Sequence, residues 1–167
     1  MANDGLKFRQ LVLPHFEAGY NLARWLTGSE PDASDVLQDA CIKALRFIDS
    51  LESENPKAWF LQIVRNTAYT FLRTRKIYSE LSEEIIDPVV SVEDHVVRHC
   101  DVKDLREALA RIPIEYKEIL VLRELEETTY EEIAKILGIP IGTVMSRLAR
   151  SRERLRRALI EKERVKS

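Results

Sequence analysis

Apolar residues along this 167-residue chain recur at spacings of three and four, almost never in strict alternation. That period predicts helices throughout and no sheet, an all-α fold. A first stretch runs from about Leu6 to Leu26, with Leu11, Phe16, Tyr20, Ala23 and Leu26 on one broad face. Pro14 bends it or starts it afresh, because proline removes a backbone donor, and Thr27-Gly28 stops it. Asp32 then reads as the cap of DASDVLQDACIKALRFI, with Val36, Ala40, Ala44 and Phe47 inward and Asp35, Gln38, Asp39 and Lys43 on a hydrophilic face. A third helix opens at Asn55-Pro56, an asparagine cap followed by proline at the first helical position. Its Trp59, Ile63, Phe71 and Leu72 are the expected core, and Arg65, Asn66, Tyr69, Arg73, Arg75 and Lys76 mix bases with an aromatic.

The period fails between Ser79 and about Val102, where SELSEEIIDPVVSVEDHVVRHCD is acidic and contains Pro88. This segment predicts a flexible linker, 79–101, between two small helical domains, 1–78 and 102–167, with room for a helical turn near Val92 to Cys100. Beyond it, LREALARI is stopped by Pro113 and EYKEILVLREL ends before Glu126. Thr129 with Glu132 three residues later forms a capping box that starts EEIAKIL. Gly138 supplies a left-handed stop, and Pro140 starts a long helix.

That last helix is two-faced. At about 100° per residue, Val144, Leu148, Leu155 and Leu159 share a narrow arc, and Thr143, Ser146, Arg147, Arg150, Arg154 and Arg157 lie roughly opposite. A short helix, a Gly/Pro turn and a basic helix form a helix-turn-helix suited to a DNA groove. Guanidinium forks match guanine edges and phosphates, and short hydroxyls permit close approach. The plain alternative is a solvated, salt-bridged helix end, to which Glu153, Glu161 and Glu163 lend support.

Composition refines this picture. Apolar residues make up 45% of the chain, enough for a core in each domain. The formal net charge of -2 conceals segregation, with carboxylates concentrated in Glu80 to Asp104 and arginines after Arg147, and local sign governs partners. No apolar run approaches the roughly 20 residues of a membrane span, and MANDGLKFRQ lacks the order of a signal peptide, so a cytoplasmic protein is expected. Cys41 and Cys100 are too far apart in sequence for a C-x-x-C motif. His95, His99 and Cys100 are the one candidate metal cluster, but a fourth ligand is missing and no metal or other cofactor is expected. No phosphate-binding G-x-x-x-x-G-K-[ST] loop occurs, and the carboxylates sit at caps and solvated positions, so the chain does not read as an enzyme. The aromatic-basic segment leaves two readings open. It stacks and neutralises unpaired nucleic acid, or its aromatics are ordinary core.

Taken in order, these segments resemble the extracytoplasmic-function (ECF) class of sigma factors in the sigma-70 family, the promoter-recognition subunits of bacterial RNA polymerase. DASDVLQDACIKAL resembles the family's polymerase-binding helix, AWFLQIVRNTAYTFLRTRK its minus-ten recognition and melting segment, and the stretch from LREALARI through GTVMSRLARSRERLR its minus-thirty-five domain. The resemblance implies that Asp35, Gln38, Asp39 and Lys43 meet core RNA polymerase, whose beta and beta-prime subunits are the partners. It implies that Leu51, Arg65, Asn66, Tyr69, Arg73, Arg75 and Lys76 meet the minus-ten strand, with Asn66 beside a flipped-base pocket. It further implies that Thr129, Gly142, Thr143, Met145, Ser146, Arg147, Arg150 and Arg154 meet promoter DNA at minus thirty-five, and that an anti-sigma factor is a partner. Met145 and Ala149 depart from the long basic or aromatic residues often found at their places, so the resemblance carries DNA binding without a target sequence. Two alternatives stay beside it: an ordinary helix-turn-helix regulator, and a sigma-like decoy for an anti-sigma factor.

Overall fold

The computed structural model describes residues 2–52, 54–82 and 100–166. Every element there is helical: α1 (Ala2–Leu11), α2 (Phe16–Thr27), α3 (Glu30–Phe47), α4 (Pro56–Ser82), α5 (Cys100–Ala110), α6 (Ile114–Leu120), α7 (Tyr130–Leu137) and α8 (Ile141–Lys166). The chain divides into two compact units, the first built mainly on α1 to α4 and the second mainly on α5, α6, the opening of α7 and α8. Residues 83–99 of the acidic segment, with His95 and His99, lie outside the described residues, as does the Cys100 side chain. α4 runs through Ser82, four residues into the stretch read as linker.

In the first unit α2, α3 and α4 pack against one another, and α1 lies against α3. Pro14 starts a new segment: α1 ends at Leu11, a 3-10 turn covers Leu13–His15, and α2 begins at Phe16. α2 ends where Gly28 takes φ 73°. The core is Val12, Leu22, Ala23, Leu26, Ala33, Val36, Leu37, Ala40, Ala44, Phe60, Leu61, Val64 and Ala68. Two residues assigned inward are therefore misplaced, since Phe16 is 43% and Phe47 54% exposed. In α4 the buried stripe is Phe60, Leu61, Val64 and Ala68, and Trp59, Ile63, Phe71 and Leu72 are only half-buried. The reason is that α4 meets two helices at once, so its most buried line faces the seam between α2 and α3. At that seam Gly19 lets α2 approach closely, because a Cβ there would stand 2.7 Å from Phe60 Cε1.

The cap of α3 is Ser29, not Asp32. Ser29 Oγ accepts from the Asp32 backbone N–H at 3.4 Å, and Pro31 occupies the first turn, where its missing donor costs nothing. The Asp32 carboxylate instead pairs with Arg75 of α4. Asn55 caps α4 as expected, its Oδ1 accepting from the Ala58 N–H at 3.0 Å.

In the second unit α8 packs on both α5 and α6, closing a core of Ala108, Leu109, Ile112, Ile119, Leu120, Val121, Leu122, Ile133, Val144 and Leu148. α6 widens into a π-helical turn over Val121–Leu125, with the Glu126 N–H donating to Val121 O at 3.1 Å. The chain then reverses through Glu127, the one non-glycine residue at positive φ (51°) among the described residues. Arg123 braces this reversal by donating to Thr128 O at 3.0 Å while lying 4.7 Å from the Tyr130 ring centroid. Both halves of the capping box form, Thr129 Oγ1 accepting from the Glu132 N–H and Glu132 Oε2 from the Thr129 N–H. Gly138 ends α7 at φ 66°, and the Val144 N–H donates to Pro140 O at the start of α8.

Candidate nucleic-acid interface

The character of α8 follows from which of its basic side chains the domain engages. Arg152 makes two hydrogen bonds to Glu124 Oε1, at 2.9 and 2.7 Å. Arg154 lies over the Tyr116 ring of α6, 4.4 Å from its centroid. Arg156 and Arg157 both pair with Glu153, and Lys162 pairs with Asp104, at 2.7 Å, and with Glu107 of α5. The two guanidinium groups beside Glu153 hold its carboxyl down to about 2. Arg147 and Arg150 make no ion pair among the described residues.

Those two arginines belong to the N-terminal half of α8, where the surface between them and the core is small. A Cβ added at Gly142 would meet nothing within 4 Å, and Ser146 and Ala149 are exposed. Ser146 Oγ donates to Thr143 O at 3.2 Å, so its lone pairs remain outward. An open cleft of about 640 Å³ runs beside this face, lined by Arg111, Arg150, Arg154 and Arg157 with Glu153 and Glu161. Arg111, which sequence reasoning missed, comes from the α5–α6 turn and could not be placed by helical register. Thr129 lies at the start of α7, where its Oγ1 accepts from the Glu132 N–H as the helix cap and its own O–H remains a donor.

In the first unit, Arg65, Asn66, Tyr69, Arg73 and Lys76 share one side of α4 by helical register. Arg65 covers the Tyr69 ring at 3.9 Å and donates to Asn66 Oδ1 at 3.3 Å. Since a guanidinium only donates, Asn66 gives it the carbonyl and keeps its NH2 group outward. Arg75 lies on another side of α4, where it holds Asp32. Leu51 is half-buried just after the 3-10 turn Ile48–Ser50.

Asp35, Gln38 and Asp39 are all exposed on one line of α3. Lys43 has turned away from them, its Nζ donating to Thr67 Oγ1 on α4 at 3.2 Å. Its place on the line is taken by Ile42, 54% exposed, with Leu45, 45% exposed, alongside. The sequence signal for these two was an apolar residue off the core stripe of its own helix. No group of three or more potential metal ligands occurs among the described residues.

A basic helix face in one all-helical unit and an aromatic-basic helix face in another suit a two-part nucleic-acid-binding factor. Comparison with known proteins makes this specific. Residues 11–77 match the family model of sigma-70 region 2, and residues 103–155 match that of sigma-70 region 4. The chain is 33% identical over 91% of its length to the RNA polymerase sigma factor SigV of Bacillus subtilis, covering 90% of that protein. It is 30% identical over 91% of its length to the ECF RNA polymerase sigma factor SigW of the same organism, covering 88% of it. Among solved structures, the sigma factor RpoE of Bartonella quintana, crystallised with the anti-sigma factor NepR, matches with a TM-score of 0.81 and 31% identity over 91% of this chain and 96% of that one. The chain belongs to the ECF class of sigma-70 family RNA polymerase sigma factors, transcription initiation factors that direct the polymerase to promoters.

Proposed function

We propose that α8 reads the upstream promoter duplex through Thr143, Ser146, Arg147 and Arg150, and that α4 captures unpaired minus-ten bases through Arg65, Asn66, Tyr69, Arg73 and Lys76. The observation that carries the first part is the division of the α8 arginines. Arg152, Arg154, Arg156 and Arg157 are engaged within the domain, and Arg147 and Arg150 are left as cations beside a bare helix start. Guanidinium forks so placed match guanine edges and phosphates. On α4 the Arg65–Tyr69 stack offers a flat cationic surface to an extruded base, and the Asn66 NH2 group offers donors to its edge. Stacking contributes roughly 1–3 kcal/mol per base, so two or three captured bases approach the ~5.5 kcal/mol that moves a duplex from nearly closed to nearly open. Arg75 and Thr129 act structurally in this reading, through Asp32 and the α7 cap.

Core polymerase docks on the exposed line Asp35, Gln38 and Asp39, joined by Ile42, an acidic and amide surface around an apolar centre that suits a basic partner helix. An anti-sigma factor is a partner by analogy with two solved relatives, RpoE held by NepR and CnrH held by the cytosolic domain of CnrY. The site of action is the cytoplasm, in keeping with the absence, among the described residues, of a helix long and apolar enough to cross a membrane.

Reconstituted transcription with core polymerase on a promoter library tests the whole reading. Arg150→Ala is expected to relax preference at one upstream base pair by roughly 10-fold or more, in line with ~1–3 kcal/mol for a bidentate contact. Asn66→Asp, which replaces donors with acceptors, is expected to impair opening while leaving upstream duplex binding intact. Transcripts independent of the added chain, or an Arg150→Ala loss equal on every sequence, would refute it.

A further inference from the structure

Met145 is 50% exposed and Ile141 39% exposed, although Val144 and Leu148 beside them are buried. Residues 141 and 145 are one turn apart on α8, so the two side chains form a single apolar flank at the start of the helix. This flank borders the bare strip of Gly142, Ser146 and Ala149, and Arg147 and Arg150 lie on the strip's other side. The face offered to a duplex is thus asymmetric, with a cationic wall, a floor of small residues and an apolar wall.

We infer that Met145 reads the C5-methyl group of a thymine in the major groove, so that the upstream element favoured by this chain carries a thymine at the base pair facing it. The inference rests on the reading of α8 as the duplex-reading helix and supplies the specificity that its arginines leave open. A methionine thioether has no donor and only a weak acceptor. Of the groups that base pairs display in the major groove, acceptors, donors and one methyl, only the methyl matches it. An amino or carbonyl edge pressed against the same side chain would lose water without gaining a partner. Met145 is flexible and unbranched, so it adapts to a methyl group without strain, and Ile141, one turn before it, extends the apolar wall on the side away from the arginines.

The test uses the full chain with core polymerase and the promoter that it selects best from a library. Each thymine of the upstream element, on either strand, is replaced in turn by deoxyuridine, which removes the methyl and nothing else. Burying one methyl corresponds to about a 4-fold change in affinity (about 0.8 kcal/mol). One replacement is therefore expected to weaken competition binding about 2- to 5-fold with the native chain, and to have no effect with Met145→Ala. Met145→Lys is expected to move preference at the same base pair from thymine toward guanine. A uridine scan that is flat, or identical for the native chain and Met145→Ala, overturns the inference. Arg150→Ala on the same fragments separates the two levels: if it alters binding while the scan is flat, only the methyl reading falls, and if it alters nothing, the proposed role of α8 falls with it. Because Met145 is exposed and alanine is the better helix former, the variant is expected to fold.

Discussion

Replacing Gly19 by alanine should destabilise the first unit even though the substitution favours a helix. The added Cβ would lie 2.7 Å from Phe60 Cε1, 3.2 Å from Val64 Cγ2 and 3.3 Å from Leu37 Cδ1, against a preferred carbon separation of about 3.5–4.0 Å. Phe60 and Val64 are fully buried and Leu37 nearly so, which leaves none of them free to swing into solvent. Alanine gains roughly 1 kcal/mol of helix propensity, and overpacking costs roughly 1–3 kcal/mol, toward the upper end where a rigid ring is struck. The net loss is about 1–2 kcal/mol, or roughly 5–15 °C in the melting temperature of a unit of this size. Both tryptophans, Trp25 and Trp59, lie in this unit, so tryptophan fluorescence on heating reports on it alone. Gly5→Ala, whose Cβ meets nothing within 4 Å, is the control and should be neutral or stabilising. In a Phe60→Leu background the cost of Gly19→Ala should shrink. A Gly19→Ala chain that melts at or above the native temperature, or a cost unchanged by Phe60→Leu, would refute the argument.

The second unit allows further checks, read by amide exchange because it carries no tryptophan. Thr129→Ala removes the hydroxyl that caps α7 and should cost about 1 kcal/mol, seen as faster exchange along that helix; unchanged protection would contradict it. Glu127→Gly relieves a side chain held at φ 51° and should raise stability by up to about 1 kcal/mol, whereas a loss would show that the side chain itself contributes. The Glu153 carboxyl is held at about 2 by Arg156 and Arg157, below its ordinary 4.5, so its contribution to stability is complete above about 4.5 and is lost as pH falls through about 2. An NMR titration should place its midpoint near 2, moving up in Arg156→Ala; a native midpoint near 4.5 would remove the pair from solution.

Much of this architecture was legible locally. Asn55, the Thr129–Glu132 box, Gly138 and Pro140 each act through bonds within a few residues, and the structure has them where the sequence put them. What escaped was non-local. Asp32 read as a cap because its partner, Arg75, is 43 residues away, and the nearer Ser29 took the capping role. Lys43 read as part of a polar face until Thr67, on another helix, drew it aside. The α4 register was missed because apolar residues surround that helix, and periodicity cannot say which stripe meets the seam between two neighbours. Helical spacing did place Arg147 and Arg150 on an outer face and Glu153 within reach of Arg156 and Arg157, but not the engagement of Arg152, Arg154 and Lys162, which depends on Glu124, Tyr116, Asp104 and Glu107 from other segments.

Tied to the π-helical turn, to α6 and to α5 through Arg152, Arg154 and Lys162, and anchored nearer its start by the buried Val144 and Leu148, α8 is held in place before any ligand arrives. If α8 reads the promoter as proposed, little freezing of the helix is required on binding, and the entropy surrendered falls mainly on Arg147, Arg150 and the double helix itself. A scaffold anchored in this way lets the exposed positions 142, 145, 146 and 149 diverge with little effect on folding, so that under the proposed reading new promoter preferences can evolve one side chain at a time.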